Sequence, residues 1–401
     1  MGLLPVLLAI LIANGSGVAY SYNLTVRLEN GASPLSLDDA YSPFSLLLNQ
    51  NVFKNVSGQS VSIESVRLNG FEVPWSLEYD SDGNPLVTIN SSGGLAPMQE
   101  ATVELLFAIE IERDAPEINV DNIGRISDIP TELKEAYPLT GIWDLSKLGD
   151  PEALIQVADS IRGEEENVIL IIKHLLEWFE ANMVYASNNT SPQTVWETFI
   201  QRRGDCDDQS NLFVLFCRLY GIPAYAAIGP IYLPGQVEDE ADQNMRFKTE
   251  NVGWHGWAMV YLPLRGGGGT WIPVDLTYFR GAYAEGGHIK SKDYLQHITG
   301  AALYYRDTVV FIEYINYDHI SEYASIRDVL VSSDCVWIEF HQMLPISQPS
   351  LFSSALYLAL AIVAVASILL IAHSILRRRN RGGLPFEGEG QKAFCLVSSK
   401  L

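Results

Sequence analysis

The sequence predicts an α+β protein, with a β-sandwich over 20–117, a linker over 118–150 and a helix-first core over 151–288 that an extension over 289–350 completes. A C-terminal transmembrane helix follows at 351–376. Three observations carry this reading. Apolar residues alternate with a period of two before about residue 117, and a helical period begins near residue 150. The segment Gly204-Asp205-Cys206-Asp207-Asp208-Gln209-Ser210 marks a turn entering a helix, with His255 and Asp275 on later strands. Leu351 to Leu376 is an almost unbroken apolar run, which at ~1.5 Å per residue is long enough for a hydrocarbon core of ~30 Å.

The first nineteen residues pair an apolar run, Leu3 to Ala13, with small residues at Gly15, Ser16, Gly17 and Ala19, the pattern of a secretory signal peptide. Arg377, Arg378, Arg379 and Arg381 follow the apolar run near the other end. Basic residues flank the cytoplasmic side of a spanning helix, so 377–401 reads as a cytoplasmic tail and the body as an ectodomain on a single-pass cell-membrane protein. Asn-x-Ser/Thr sites at Asn14, Asn23, Asn55, Asn90, Asn188 and Asn189 all precede the anchor, as in an extracellular glycoprotein. A net charge of −22 argues against nucleic acid as a partner, because phosphate binding depends on Lys and Arg.

Within the sandwich, runs such as Asn23 to Leu28, Val61 to Leu68 and Ala101 to Phe107 alternate, and Asn69-Gly70 and Ser92-Gly93-Gly94 separate them. Such spacing of short strands and turns is typical of a sandwich of immunoglobulin size. In the core, Val168, Ile171, Ile172, Leu175, Leu176 and Phe179 form one stripe of a helix over 164–185. Ser191-Pro192 starts the next helix as N-cap and first residue, and Gly204 ends it. A third runs from Cys206 to Tyr220, closed by Gly221. Strands follow at 224–228, 254–262 and 270–276, with a polar loop between the first two, Pro234 to Asn251. Its acidic residues Glu238, Asp239, Glu240 and Asp242 read as solvated surface, with a lid or a Ca²⁺ site as alternatives.

Four cysteines are too few for a disulfide scaffold. Cys206 and Cys217 on one helix lie too far apart to bridge, Cys217 with Cys335 stays open as a pair, and Cys395 falls in the tail. Cys206 is thus a free thiol in an oxidising compartment.

A thiol at the first turn of a helix meets unpaired N–H groups and the positive end of the macrodipole, which favour thiolate and oxyanion alike. Asp205 is placed as N-cap, while Asp207 and Asp208 oppose ionisation, so an imidazolium partner is required. His255 and Asp275 lie on two strands of a hairpin closed by Pro263 to Gly269. To face each other directly they need a turn centred on residue 265, with an odd loop or a bulge. A packed cysteine, histidine and aspartate is the bland alternative for each residue alone. Metal binding by Asp205, Cys206, Asp207, Asp208 and His255 fits neither structural zinc nor an EF-hand spacing.

Together with Cys217-Arg218-Leu219-Tyr220-Gly221-Ile222-Pro223-Ala224, His255-Gly256-Trp257 and Trp271-Ile272-Pro273-Val274-Asp275-Leu276-Thr277, these motifs resemble the transglutaminase-like superfamily core. The likeness is to archaeal and bacterial membrane-anchored members with an N-terminal β domain. It implies a fold related to papain-like cysteine proteases, with Cys206 as nucleophile, His255 as base and acid, and Asp275 orienting the ring. Met259 stands where the family often has an acidic residue. Tyr185 is the candidate for completing the oxyanion hole, with Trp196 and Gln201 behind it. The resemblance implies an amide-bond hydrolase or acyltransferase working through an acyl-enzyme on extracellular protein or peptide, with no cofactor. The alternative is a non-catalytic envelope protein with a degenerate core.

Overall fold

The computed structural model of the protein describes residues 17–346, apart from 38, 40, 115–117, 187–191 and much of 278–307. The expected spanning segment 351–376, the expected tail, and the expected signal segment up to residue 16 lie outside the described residues. No helix among the described residues is long and apolar enough to cross a membrane.

The N-terminal lobe follows from its period of two. Strand β1 (Val18–Glu29) buries Tyr22, Leu24, Val26 and Leu28 on one face. After a short helix α1 (Pro43–Leu47) come β2 (Asn49–Asn51), β3 (Gln59–Leu68), β4 (Phe71–Glu72), β5 (Trp75–Tyr79), β6 (Pro85–Ile89) and β7 (Glu100–Ile111). Strands β1, β7, β3 and β4 lie side by side, and β2, β6 and β5 form a second, small sheet. Their apolar faces meet with Phe44 and Leu47 of α1 in one cluster.

The core begins earlier than expected. The segment read as a linker, 118–150, carries helix α2 (Thr131–Ala136) and several single 3₁₀ turns. Ile123, Ile129, Ile142 and Trp143 of this segment are buried in the core cluster. Its Pro and Gly content serves tight turns rather than a free tether. Helices α3 (Pro151–Arg162) and α4 (Val168–Asn182) then pack their apolar stripes on the same cluster. Strand β8 (Val184–Tyr185) leads to α5 (Val195–Gln201), which Thr194 caps in a reciprocal box with Glu197. Ser191, the expected cap, lies outside the described residues, and the helix starts only after Thr194. Strand β9 (Arg203–Gly204) enters α6 (Cys206–Leu219), a central helix buried continuously from Asp208 to Arg218.

Two long strands, β10 (Ala224–Asp242) and β11 (Met245–Pro263), pair along almost their whole length, with a register shift between Tyr232 and Val237. The acidic segment expected as a loop is therefore the outer part of a β-ribbon. Asp239 is gripped by Arg246 through two hydrogen bonds, and Asp242 accepts one from Tyr323. Among the described residues these carboxylates form no converging ligand group of three.

Strand β12 (Gly269–Val274) returns against β11, followed by β13 (Tyr283–Glu285), β14 (His288–Lys290), β15 (Ile312–Tyr314), α7 (His319–Ser332) and β16 (Val336–Pro345). The extension over 289–350 packs on the core, as expected, through Ile298, Tyr314 and Ile320, and its last part also completes the N-terminal lobe. Strand β16 runs antiparallel beside β1, from Tyr20 opposite Pro345 to Glu29 opposite Val336. Leu330, Cys335, Trp337 and Met343 join the N-terminal cluster. Strand β16 also pairs in parallel with β11, so one nine-stranded sheet, ordered β15-β10-β11-β16-β1-β7-β3-β4 with β12 beside β11, passes through both lobes. Cys217 and Cys335 are separate thiols, in the core and N-terminal clusters respectively.

Candidate active site

Strand β11 changes neighbours where chemistry is expected. Residues Met245 to Glu250 pair with β16, and Ala258 to Pro263 pair with β12. His255 lies between these stretches, held on the other edge opposite Gly229 of β10. Neither β16 nor β12 occupies this gap, and the N-terminus of α6 fills it. A Cβ added at Gly256 would stand 3.0 Å from Asp207 Cβ and 3.1 Å from its Cα, so glycine lets helix and strand approach. A glycine inside a strand signals such an approach, although the sequence reading did not use it.

The turn before α6 is tightly specified. Asp205 caps the helix, its side chain accepting from the Asp208 N–H, while Asp208 accepts from the Asp205 N–H at 3.2 Å. Asp208 also accepts from the backbone N–H of Gln193 at 2.8 Å and from its side-chain amide at 2.7 Å. Gln209 donates to the Gly204 carbonyl at 2.8 Å. Asp208, expected only as a charge opposing ionisation, thus anchors the loop before α5 to the turn. Gln193 had no sequence signal, because its partner lies across a turn rather than along a helix face.

His255 and Asp275 are both buried, with the imidazole Nε2 2.8 Å from Asp275 Oδ2. Asp275 Oδ1 accepts from the Thr277 N–H at 3.0 Å, which fixes the carboxylate. The hairpin differs by one step from direct opposition. Met259 faces Pro273 and Pro263 faces Gly269 around an odd loop, 264–268. The turn centres on Gly266, and Asp275 reaches His255 diagonally from just beyond β12.

Cys206 is half-buried at the first position of α6, and the Gly256 N–H hydrogen bonds to it, favouring the thiolate. Stronger influences act the other way. Burial, then Asp207 and Asp205, hold its thiol well above the ordinary value of 9.0. One donor atom from each of Asp205, Cys206 and Asp207 lies within 4.8 Å of the others. Asp205 itself is raised by burial and by Asp207. Burial and two carboxylates thus outweigh the partial charge of the helix start, in line with the expected need for an imidazolium partner, with Asp205 rather than Asp208 as the second opposing group.

Tyr185 lies on β8 opposite Gly204 of β9. Burial, followed by the charges of Cys206, Asp205, Asp207 and Glu238, pushes its hydroxyl up to about 12, so it keeps its proton and with it the capacity to donate a hydrogen bond. Trp196 packs against Gly149 instead, and Gln201 is exposed at the end of α5.

Residues 155–276 match the transglutaminase-like superfamily core. They form a transglutaminase-like domain. This domain holds Cys206, His255 and Asp275, and its boundary at residue 276 falls directly after the aspartate. Solved structures similar to the chain include a candidate cysteine protease from Cytophaga hutchinsonii, 13% identical, covering 83% of this chain and 92% of that one with a TM-score of 0.48. The periplasmic domain of TgpA from Pseudomonas aeruginosa is 15% identical, covers 68% and 93%, and has a TM-score of 0.30. No curated protein matches the chain.

Proposed function

We propose that the transglutaminase-like domain is a thiol-dependent amide-bond hydrolase or acyltransferase acting on extracellular protein or peptide. The observation that carries this reading is the buried His255–Asp275 pair at 2.8 Å, placed in the gap of β11 that the Cys206 turn fills. Because Asp275 engages Nε2, the proton traffic of the thiol belongs to Nδ1. The thiol stays protonated at rest, so His255 removes its proton as the sulfur attacks the substrate carbonyl. N–H groups at the start of α6 and the Tyr185 hydroxyl are positioned for the oxyanion. Collapse breaks the C–N bond, and the imidazolium returns its proton to the leaving amine. Water or a second amine then attacks the thioester and releases Cys206.

The apolar run 351–376 and the segment 1–19, read as an anchor and a signal peptide, support a reading in which this activity lies outside the cell, tethered to its membrane. A second reading, a binding protein with a degenerate core, draws on the two carboxylates beside the thiol. Incubation of the chain with a peptide library, with and without added amine, tests both. Mass spectrometry is expected to find an acyl adduct on Cys206 and products that vanish in Cys206→Ala. Identical product profiles for the two chains would reject catalysis in favour of binding.

A further inference from the structure

A cavity of about 530 Å³ opens beside the candidate site, between the N-terminal lobe, β11, β16 and α7. Asp205 and Asp207 form part of its wall, and each offers an oxygen within 4.8 Å of the Cys206 sulfur. One wall of the cavity therefore borders the turn that carries the nucleophile. Trp254, Phe311 and Trp337 supply flat apolar walls, and Glu322 and Glu339 add two further carboxylates. No lysine or arginine lines it among the described residues. The one basic lining residue, His341, is already committed, with Nε2 3.0 Å from Glu339 and Nδ1 2.9 Å from the Tyr22 hydroxyl. Trp337 donates to Glu339 at 2.7 Å, so that carboxylate is held in a fixed orientation.

The geometry points to a substrate pocket for a side chain that is apolar along its stem and cationic at its tip, lysine or arginine, beside the amide that Cys206 attacks. An alkyl stem packs on the indole and phenyl faces, and the cation meets ring faces and carboxylates together. A neutral side chain would gain the walls alone. An acidic one would face four carboxylates. Burial raises Glu322 above the ordinary carboxylate value, the response of a group whose charge gains from a bound cation. The inference rests on the catalytic reading for its substrate, yet the pocket can be tested without turnover.

The experiment uses the full chain carrying Cys206→Ala and three blocked tripeptides that differ only in a central lysine, norleucine or glutamate. Binding is read from the fluorescence of the tryptophans. The lysine peptide is expected to bind about tenfold or more tighter than norleucine, the worth of one charge-assisted contact, with glutamate weakest. Glu322→Gln, nearly isosteric and outside the Asp205–Cys206–Asp207 group, should reduce that preference severalfold while leaving norleucine binding unchanged. Equal affinities, tightest binding of glutamate, or a lysine preference untouched by both Glu322→Gln and Glu339→Gln would overturn the pocket assignment. In the wild-type chain, turnover indifferent to the central residue would overturn it too and leave the catalytic reading intact. A lysine preference in binding with no turnover would uphold the pocket and remove the catalytic reading.

Discussion

At the scale of single residues, burial of the sulfur and the charges beside it set its chemistry. Asp275 keeps the His255 ring in one orientation and tautomer, so Asp275→Asn should lower kcat by about 10⁴-fold with little change in KM. Circular dichroism should confirm an unchanged fold. Asp207 acts against ionisation. Because the Cys206 thiol lies well above 9.0, its thiolate is scarce at neutral pH and iodoacetamide labelling should accelerate as pH rises toward and past that value. Asp207→Asn removes a raising influence, lowers the thiol pKa and should speed labelling at pH 7 severalfold; an unchanged rate would contradict this account. Asp205 carries a linked stability effect. Its folded pKa lies above the unfolded 3.8, so the stability it contributes is present below that value and is lost as pH climbs through its raised range. Asp205→Asn keeps an N-cap and should stabilise the chain at pH 7 by about 1 kcal/mol, with a flatter dependence of Tm on pH. The cysteine, histidine and aspartate were legible from residue type and order. Gln193, Gly256 and the anchoring role of Asp208 were not, because each acts across a contact between segments distant in the chain.

At the scale of elements, the site exists because α6 and β11 come very close. Gly256→Ala places a methyl group 3.0 Å from Asp207 Cβ, tighter than ordinary contact, so the helix start must move. Such a displacement should cost about 10²-fold in kcat, while the two larger hydrophobic clusters, which do not include Gly256, keep the protein folded. The start of α6 was readable because an N-cap aspartate and a C-terminal Gly221 are local devices. The hairpin register was only half readable. The odd loop was anticipated, but the shift of its centre to Gly266 follows from pairing along β12, and the aspartate reaches the histidine diagonally. The β-ribbon was missed because its acidic half, 237–242, is mostly charged, and the alternating Met245 and Phe247 that face the N-terminal cluster lie on the return strand. Pairing with β10 and β16 holds it, and that information lies elsewhere in the chain.

At the scale of the whole molecule, β16 and Arg218 tie distant segments together. Strand β16 shields the edge of β1 and pairs with β11, and an uncovered edge invites non-native pairing. A chain ending at residue 318 should therefore lose hydrogen-exchange protection throughout β1 and aggregate, whereas one ending at residue 346 should keep it. Arg218, buried in the core, donates to the carbonyls of Ala224, Pro138 and Ile315 at 2.8, 2.6 and 2.7 Å. Burial lowers its pKa to about 9. Arg218→Met would strand these carbonyls and should cost about 3 kcal/mol in chemical denaturation.

Local chemistry determined much of this protein before any contact formed. The order of Cys206, His255 and Asp275, the capped helix that carries the thiol, and the apolar runs at 1–19 and 351–376 are all short-range patterns, and short-range patterns are written in neighbouring residues. Tertiary structure alone decided the rest. It sent the last described strand back to the first, made a packed segment of the presumed linker, and closed the start of α6 on β11 at Gly256. Those outcomes depend on which surfaces exclude water together, and that is a property of the assembled chain.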